Sequence, residues 1–266
     1  MRMTRNWIPV ALVCLLASLL LACGGSRSDD SGVFFNPSRA DRLAHEALVV
    51  EADLPGSGWE VTARDEAEDD GESDFLDMAK AEPACAQLAS LAALGDLGGI
   101  FGGSGGDDGA PAGRAQVELQ RPGAGGFLPV SLEVEVEIEQ TVTEVQSGSQ
   151  LAKGLLESDQ TKNCIARVVN TMMKDQLAAS GLQMTLEPRP SSRPAPHDGA
   201  TMGFLMSIRL PGVIALDAVM DMYFWSYGNG SVNALMFGPK EDMKPALIAG
   251  LLKAVDEKVI KAEKAQ

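Results

Sequence analysis

Imidazole is nearly missing from this chain: His45 and His197 are its two histidines in 266 residues. They lie far apart, and no His/Cys cluster has the spacing of a zinc site, so neither metal nor cofactor chemistry is indicated. Aromatic residues are scarce at 5%, while methionine is plentiful at 12 residues, which points to an aliphatic core with Met filling irregular gaps. Positive charge is also short. Lys and Arg total 22 against 37 Asp and Glu, for a net charge of −15. A surface that acidic repels phosphate backbones and argues against nucleic acid as a partner. It equally repels anionic headgroups, so any attachment to a membrane needs an anchor. Long apolar runs are confined to Trp7–Leu21, interrupted by Pro9, Cys14 and Ser18. That run falls short of the about 20 apolar residues a spanning helix needs.

What stands at the amino terminus is the three-part pattern of an export signal. Arg2 and Arg5 form a basic start, the apolar run follows, and Leu20-Leu21-Ala22-Cys23 closes it with small-residue processing chemistry. These four residues resemble the lipobox of bacterial lipoproteins. The resemblance implies cleavage after residue 22, diacylglycerol on the Cys23 thiol and acylation of the new amino group. The alternative is an ordinary signal peptide cut elsewhere, beside a coincidental cysteine. Two or three acyl chains, at ~0.8 kcal/mol per buried CH₂, suffice for durable anchoring. Loss of Arg2 and Arg5 would take the net charge from −15 to −17. Residues 23–36, Gly/Ser/Asp-rich at their start, read as a flexible tether. Gly24 in place of Asp resembles the sorting signal for an outer membrane. The expected location is therefore a cell membrane or outer membrane, lipid-anchored and facing away from the cytoplasm.

With Cys14 removed and Cys23 lipidated, Cys85 and Cys164 remain, an even pair in an oxidising compartment. One disulfide is the simple reading, and two buried free thiols the alternative. Each cysteine sits on an apolar helical stripe, so the bond would staple two helices.

Residues 37–266 read as one α+β domain, an antiparallel sheet with helices packed mainly on one face. Helices are predicted over 38–50, 75–94, 149–157, 161–179 and 243–262. Strands are predicted from Trp59 to Arg64, Arg114 to Gln120, Leu132 to Glu139, 182–188, 200–210, 215–226 and 231–237. Leu132–Glu139 alternates apolar residues with Glu133, Glu135, Glu137 and Glu139, which predicts a sheet wetted on one side and excludes a buried parallel sheet. Gly95–Gly113 reads as a flexible low-complexity loop, and Ser191–Gly199 as an extended Pro-rich linker.

Several motifs look chemical and fail on context. Gly102-Gly103-Ser104-Gly105-Gly106 matches a nucleophile elbow, but a glycine loop gives Ser104 no fixed direction. Residues 66–77 place acidic groups at calcium-loop offsets, yet start with Glu66, end with Asp77 and follow a strand. The glutamate comb could bind cations or a basic partner; as a bland feature it keeps a sheet face soluble. The last hairpin offers more. One face of 215–227 carries Asp217, Asp221, Tyr223 and Trp225, aromatics beside carboxylates that can line a shallow site for a sugar, a cation or a peptide; the alternative is that these rings pack under the acidic loop or a helix.

Asp53-Leu54-Pro55 followed by Gly58-Trp59 is similar to the opening of many bacterial exported lipoproteins, and resembles the extracytoplasmic sensor domains of PknH-type kinases. Those sensor domains use two disulfides, whereas one can form here. The resemblance implies a ligand-sensing or partner-binding module and carries no site residue. The sequence thus points to a non-enzymatic, membrane-anchored binding or sensor-like lipoprotein, taking a small ligand or an envelope protein. The second reading is a structural or assembly factor of the envelope, recognising another protein through the acidic sheet face.

Overall fold

In the computed structural model the described residues are 37–64, 82, 85, 112–126, 128–139, 141–177, 183–209 and 215–264. The export signal, Cys23, the tether, the calcium-like loop, Gly102–Gly106 and most of the predicted 75–94 helix and Gly-rich loop lie outside them.

Helix α1 (Pro37–Ala47) places Ala40, Leu43, Ala44 and Ala47 on one stripe, all buried. A single 3₁₀ turn follows at Glu51–Asp53. The strands are β1 (Glu60–Arg64), β2 (Gly113–Pro122), β3 (Pro129–Ile138), β4 (Gln183–Arg189), β5 (Ala200–Arg209), β6 (Ala215–Tyr227) and β7 (Gly230–Pro239). Between β3 and β4 run α2 (Val142–Leu156) and α3 (Asp159–Leu177), and α4 (Pro245–Lys264) ends the described chain. The seven strands pair antiparallel throughout, in the order β1-β2-β3-β7-β6-β5-β4.

The α+β class with an antiparallel sheet is the one the alternation indicated. The helices, expected mainly on one face, are divided between two. On one face α1 and α4 cover the valines and leucines of β2 and β3, together with Val232, Ala234, Met236, Tyr223 and Trp225. On the other, α2 lies over β5, β6 and β7, and α3 over β4, burying Met202, Phe204, Met220, Met222, Phe224, Leu235 and Phe237. The reason is in β6, where Met220, Met222 and Phe224 alternate with Val219, Tyr223 and Trp225. Both faces are apolar, so both need a cover.

Helix α2 begins seven residues before its predicted start. Its first turns are rich in β-branched residues, Ser and Gly, which lower helix propensity, but burial of Val145 holds them helical. The expected linker 191–199 is instead a strap across the sheet. Ser191 Oγ donates to Thr201 Oγ1 at 2.9 Å, Arg193 Nε to the Pro245 carbonyl at 3.3 Å, and His197 Nε2 meets Asp256 Oδ1 at 2.9 Å.

Two glycines are required by geometry. Gly228 takes a φ of 58° in the two-residue β6–β7 turn, where primed turns need a positive value. Gly113 lets β2 pass under α1, for a Cβ there would overlap the Ala40 backbone and Asp41 nitrogen. Gly113→Ala is expected to lower stability by about 1–3 kcal/mol through overpacking. A thermal midpoint equal to that of the parent would show that α1 can lift without loss.

Candidate functional site

Register builds an acidic patch from β2 and β3. Arg114 lies opposite Glu137, Gln116 opposite Glu135, and Glu118 opposite Glu133. These side chains share the α2/α3 face of the sheet, since Glu133 is also level with Leu235, and Glu135 with Asn233. That face is therefore apolar over β4–β6 and acidic over β2–β3.

The comb was expected to face water, and here the structure corrects the sequence. Glu133, Glu135 and Glu137 are 6%, 2% and 3% exposed, and Glu118 and Glu139 are buried as well. Alternation separates two sets of side chains; it does not say that the polar set is wet. Among the described residues, one guanidinium meets these carboxylates. Arg114 Nε bonds Glu135 Oε1 and lies 4.0 Å from Glu137 Oε1. Gln116 Nε2 donates to Glu133 Oε1 at 2.5 Å, Gln120 Nε2 to Glu118 Oε1 at 2.6 Å, and Ser231 Oγ to Glu137 Oε2 at 3.5 Å. The second oxygens of Glu133 and Glu135 are buried without a partner.

Burial dominates the titration of this patch. It pushes the Glu133 carboxyl up to about 8, helped by the negative charge of Glu118 and opposed by Gln116 and Arg114. Glu135 is raised by burial and by Glu137, in spite of its bond to Arg114. Burial raises Glu137 as well. A cluster of this kind holds protons at neutral pH and attracts a cation when it loses them. Among the described residues no group of three or more His, Cys, Asp or Glu is arranged to hold a metal ion.

The aromatic shelf expected on β6 is not a surface. Tyr223 and Trp225 are 1% and 0% exposed, in the core beneath α4, so the shallow-site expectation is withdrawn. The alternation placed them correctly on one face with Asp221 and Asp217; α4 and the strap supply the cover. Asp221, fully buried, accepts from Arg189 Nη2 at 2.5 Å, from the Ser192 backbone at 3.2 Å and from Tyr223 Oη at 3.3 Å. Burial, then the Asp221 charge, raises the Tyr223 phenol far above its ordinary value, and so keeps it a neutral donor. Asp217 stands apart, half-buried, bonded to Ser207 Oγ at 2.9 Å and 4.0 Å from Lys240 Nζ. This network ties the strap to the sheet.

Of the sequence candidates, the structure joins Asp221 to Tyr223 and separates both from Asp217. Cys85 and Cys164 form the expected disulfide, 79 residues apart in sequence, with both residues buried. His45 is on the exposed side of α1, its Nδ1 2.7 Å from the Asp41 carbonyl oxygen. His197 packs against Tyr227, ring centroids 5.2 Å apart. What sequence reasoning missed is the contribution of β2. Arg114, Gln116, Glu118 and Gln120 alternate with Ala115, Val117 and Leu119, and that period was legible, but their partnership with the comb comes from strand register.

No known protein family matches the chain, and no curated protein matches it either.

Proposed function

We propose that this protein is a lipid-anchored, extracytoplasmic binding module of sensor-like type, not an enzyme, and that its input site is the acidic half-face of β2 and β3. The address rests on Leu20-Leu21-Ala22-Cys23 behind a basic and apolar start. The Cys85–Cys164 disulfide supports that address, since such bonds persist outside the reducing cytosol. Among the described residues no helix is long and apolar enough to cross a membrane, so the acyl chains would do the anchoring.

The observation that carries the site is the pair of buried, unpartnered oxygens, Glu133 Oε2 and Glu135 Oε2. A folded chain bears that penalty, about 1–3 kcal/mol for each unsatisfied group, where a cation or proton can relieve it. The competing role, an envelope assembly factor docking through the acidic face, would need another surface, because this face is buried.

Cys23→Ala is expected to abolish palmitate labelling and release the protein from the membrane fraction, leaving an unprocessed precursor. A variant that is still labelled and cleaved normally would remove the anchor from the proposal. Native mass spectrometry of the parent from mild detergent tests the rest. A retained small cation lost in Glu133→Gln supports binding at the half-face, and a stoichiometric protein partner supports assembly instead.

A further inference from the structure

The half-face is built in a way that selects one cation above others. The cross-strand pair Glu118 and Glu133 brings two carboxyl groups together on adjacent strands, where directly opposite Cβ atoms stand about 4.5–5.5 Å apart. Like charges so placed repel, and burial removes the water that would screen them. Gln116 satisfies one oxygen of Glu133 and the other has no partner. Arg114 is committed one and two pairs further along, to Glu135 and Glu137.

Among the described residues the charged groups facing this site can be named. From β2 come Arg114 and Glu118, and from β3 come Glu133, Glu135 and Glu137, with Glu139 just beyond the strand end. Strand β7 contributes Ser231 and Asn233, which are uncharged. From α2, Lys153 reaches away to the Asp198 carbonyl at 2.7 Å. Among the described residues negative charge is therefore in surplus over one guanidinium, and no three of their His, Cys, Asp or Glu side chains converge as a metal site does. A proton is small enough to neutralise a carboxylate without a coordination sphere.

We propose that Glu133, with Glu118 and Glu135 beside it, is a proton-binding site, loaded in neutral medium and discharged in alkaline medium, whose discharge loosens the β2–β3 half of the sheet. This deepens the sensor-like reading and rests on it for its biological meaning: the input is the proton itself. The direction of the effect follows from linkage. The folded chain holds the Glu133 proton more tightly than an unfolded glutamate, whose ordinary value is 4.5. The stabilisation is thus complete below about 4.5 and is lost as pH rises through about 8. Arg114 moderates the loss for Glu135 and does not reach Glu133 with a bond.

The test uses the full chain in detergent, labelled with ¹³C at the glutamate carboxyl carbon. The Glu133 signal is expected to keep its acid-form position at neutral pH and to titrate in the alkaline range. Amide exchange in β2 and β3 should accelerate about tenfold or more over the same range, allowing for the intrinsic pH dependence of exchange. Glu133→Gln, which mimics the protonated form, should remove that excess. Should that variant fail to fold, Glu118→Gln is expected to lower the Glu133 midpoint by deleting its like-charged neighbour. A Glu133 signal that titrates in the ordinary carboxylate range would overturn the inference, as would equal pH dependence in the parent and Glu133→Gln. The binding reading fails separately. A retained ligand beside an ionised Glu133 would sink the proton and keep the module, while loss of lipidation would leave the titration unchanged.

Discussion

Replacing Asp221 with Ala is expected to destabilise the protein by about 3 kcal/mol, the lower end of what breaking a buried ion pair does. Asp221 has no exposure, and its two oxygens take the Arg189 guanidinium, the Ser192 backbone and the Tyr223 hydroxyl. Deleting the carboxylate removes an acceptor from three donors, of which the Tyr223 hydroxyl is buried in the core. The figure stays low because Arg189 keeps bonds to the carbonyl oxygens of Phe204 and Pro190 and to Ser192 Oγ. Asp221→Asn retains shape and one acceptor but loses the charge, so it should fall between parent and Ala. Urea unfolding midpoints measure both. A loss under about 1 kcal/mol in the Ala variant would mean that water replaces the carboxylate, and that the strap is not fastened at this point.

The larger effect belongs to the disulfide. Removing it by Cys85→Ala with Cys164→Ala is expected to lower stability by about 4–5 kcal/mol. The bond joins residues 79 apart, and freeing so long a loop enlarges the unfolded ensemble. Ile165, Val168 and Val169 of α3 share the core cluster of Cys164 and Cys85, so a native-state packing loss adds to the entropic one. Reduction of the parent in mild urea should give the same midpoint as the double variant. A parent insensitive to reductant, with two thiols alkylated before any reduction, would end the account of the bond and weaken the case for an oxidising compartment.

Much of the fold could be read from the residues because the period of hydrophobicity is local. Leu132–Glu139 had to be a strand, and its two side-chain sets had to lie on opposite faces. The stripe Ile248, Leu251, Leu252, Val255 and Val259 had to be a helix with one buried side. Gly228 marked the tight hairpin. Boundaries were less legible where burial overrode propensity, as at the start of α2, and Trp59 packs beside β1 without joining it, its indole nitrogen donating to the Pro55 carbonyl at 3.1 Å.

The candidate site divides along the same line. By itself the sequence determined that Glu133, Glu135 and Glu137 share a face, that Tyr223, Trp225 and Asp221 share another, and that Cys85 and Cys164 were free to pair. Only the tertiary structure decided which faces meet water: it overturned the wet reading of the comb, and of the two readings open for the aromatics it chose burial. The physical reason is that alternation is a property of one strand, whereas exposure belongs to whatever packs upon it. A glutamate's charge state then follows from that packing, so the chemistry of the half-face is set by strands β2 and β3 meeting in one register.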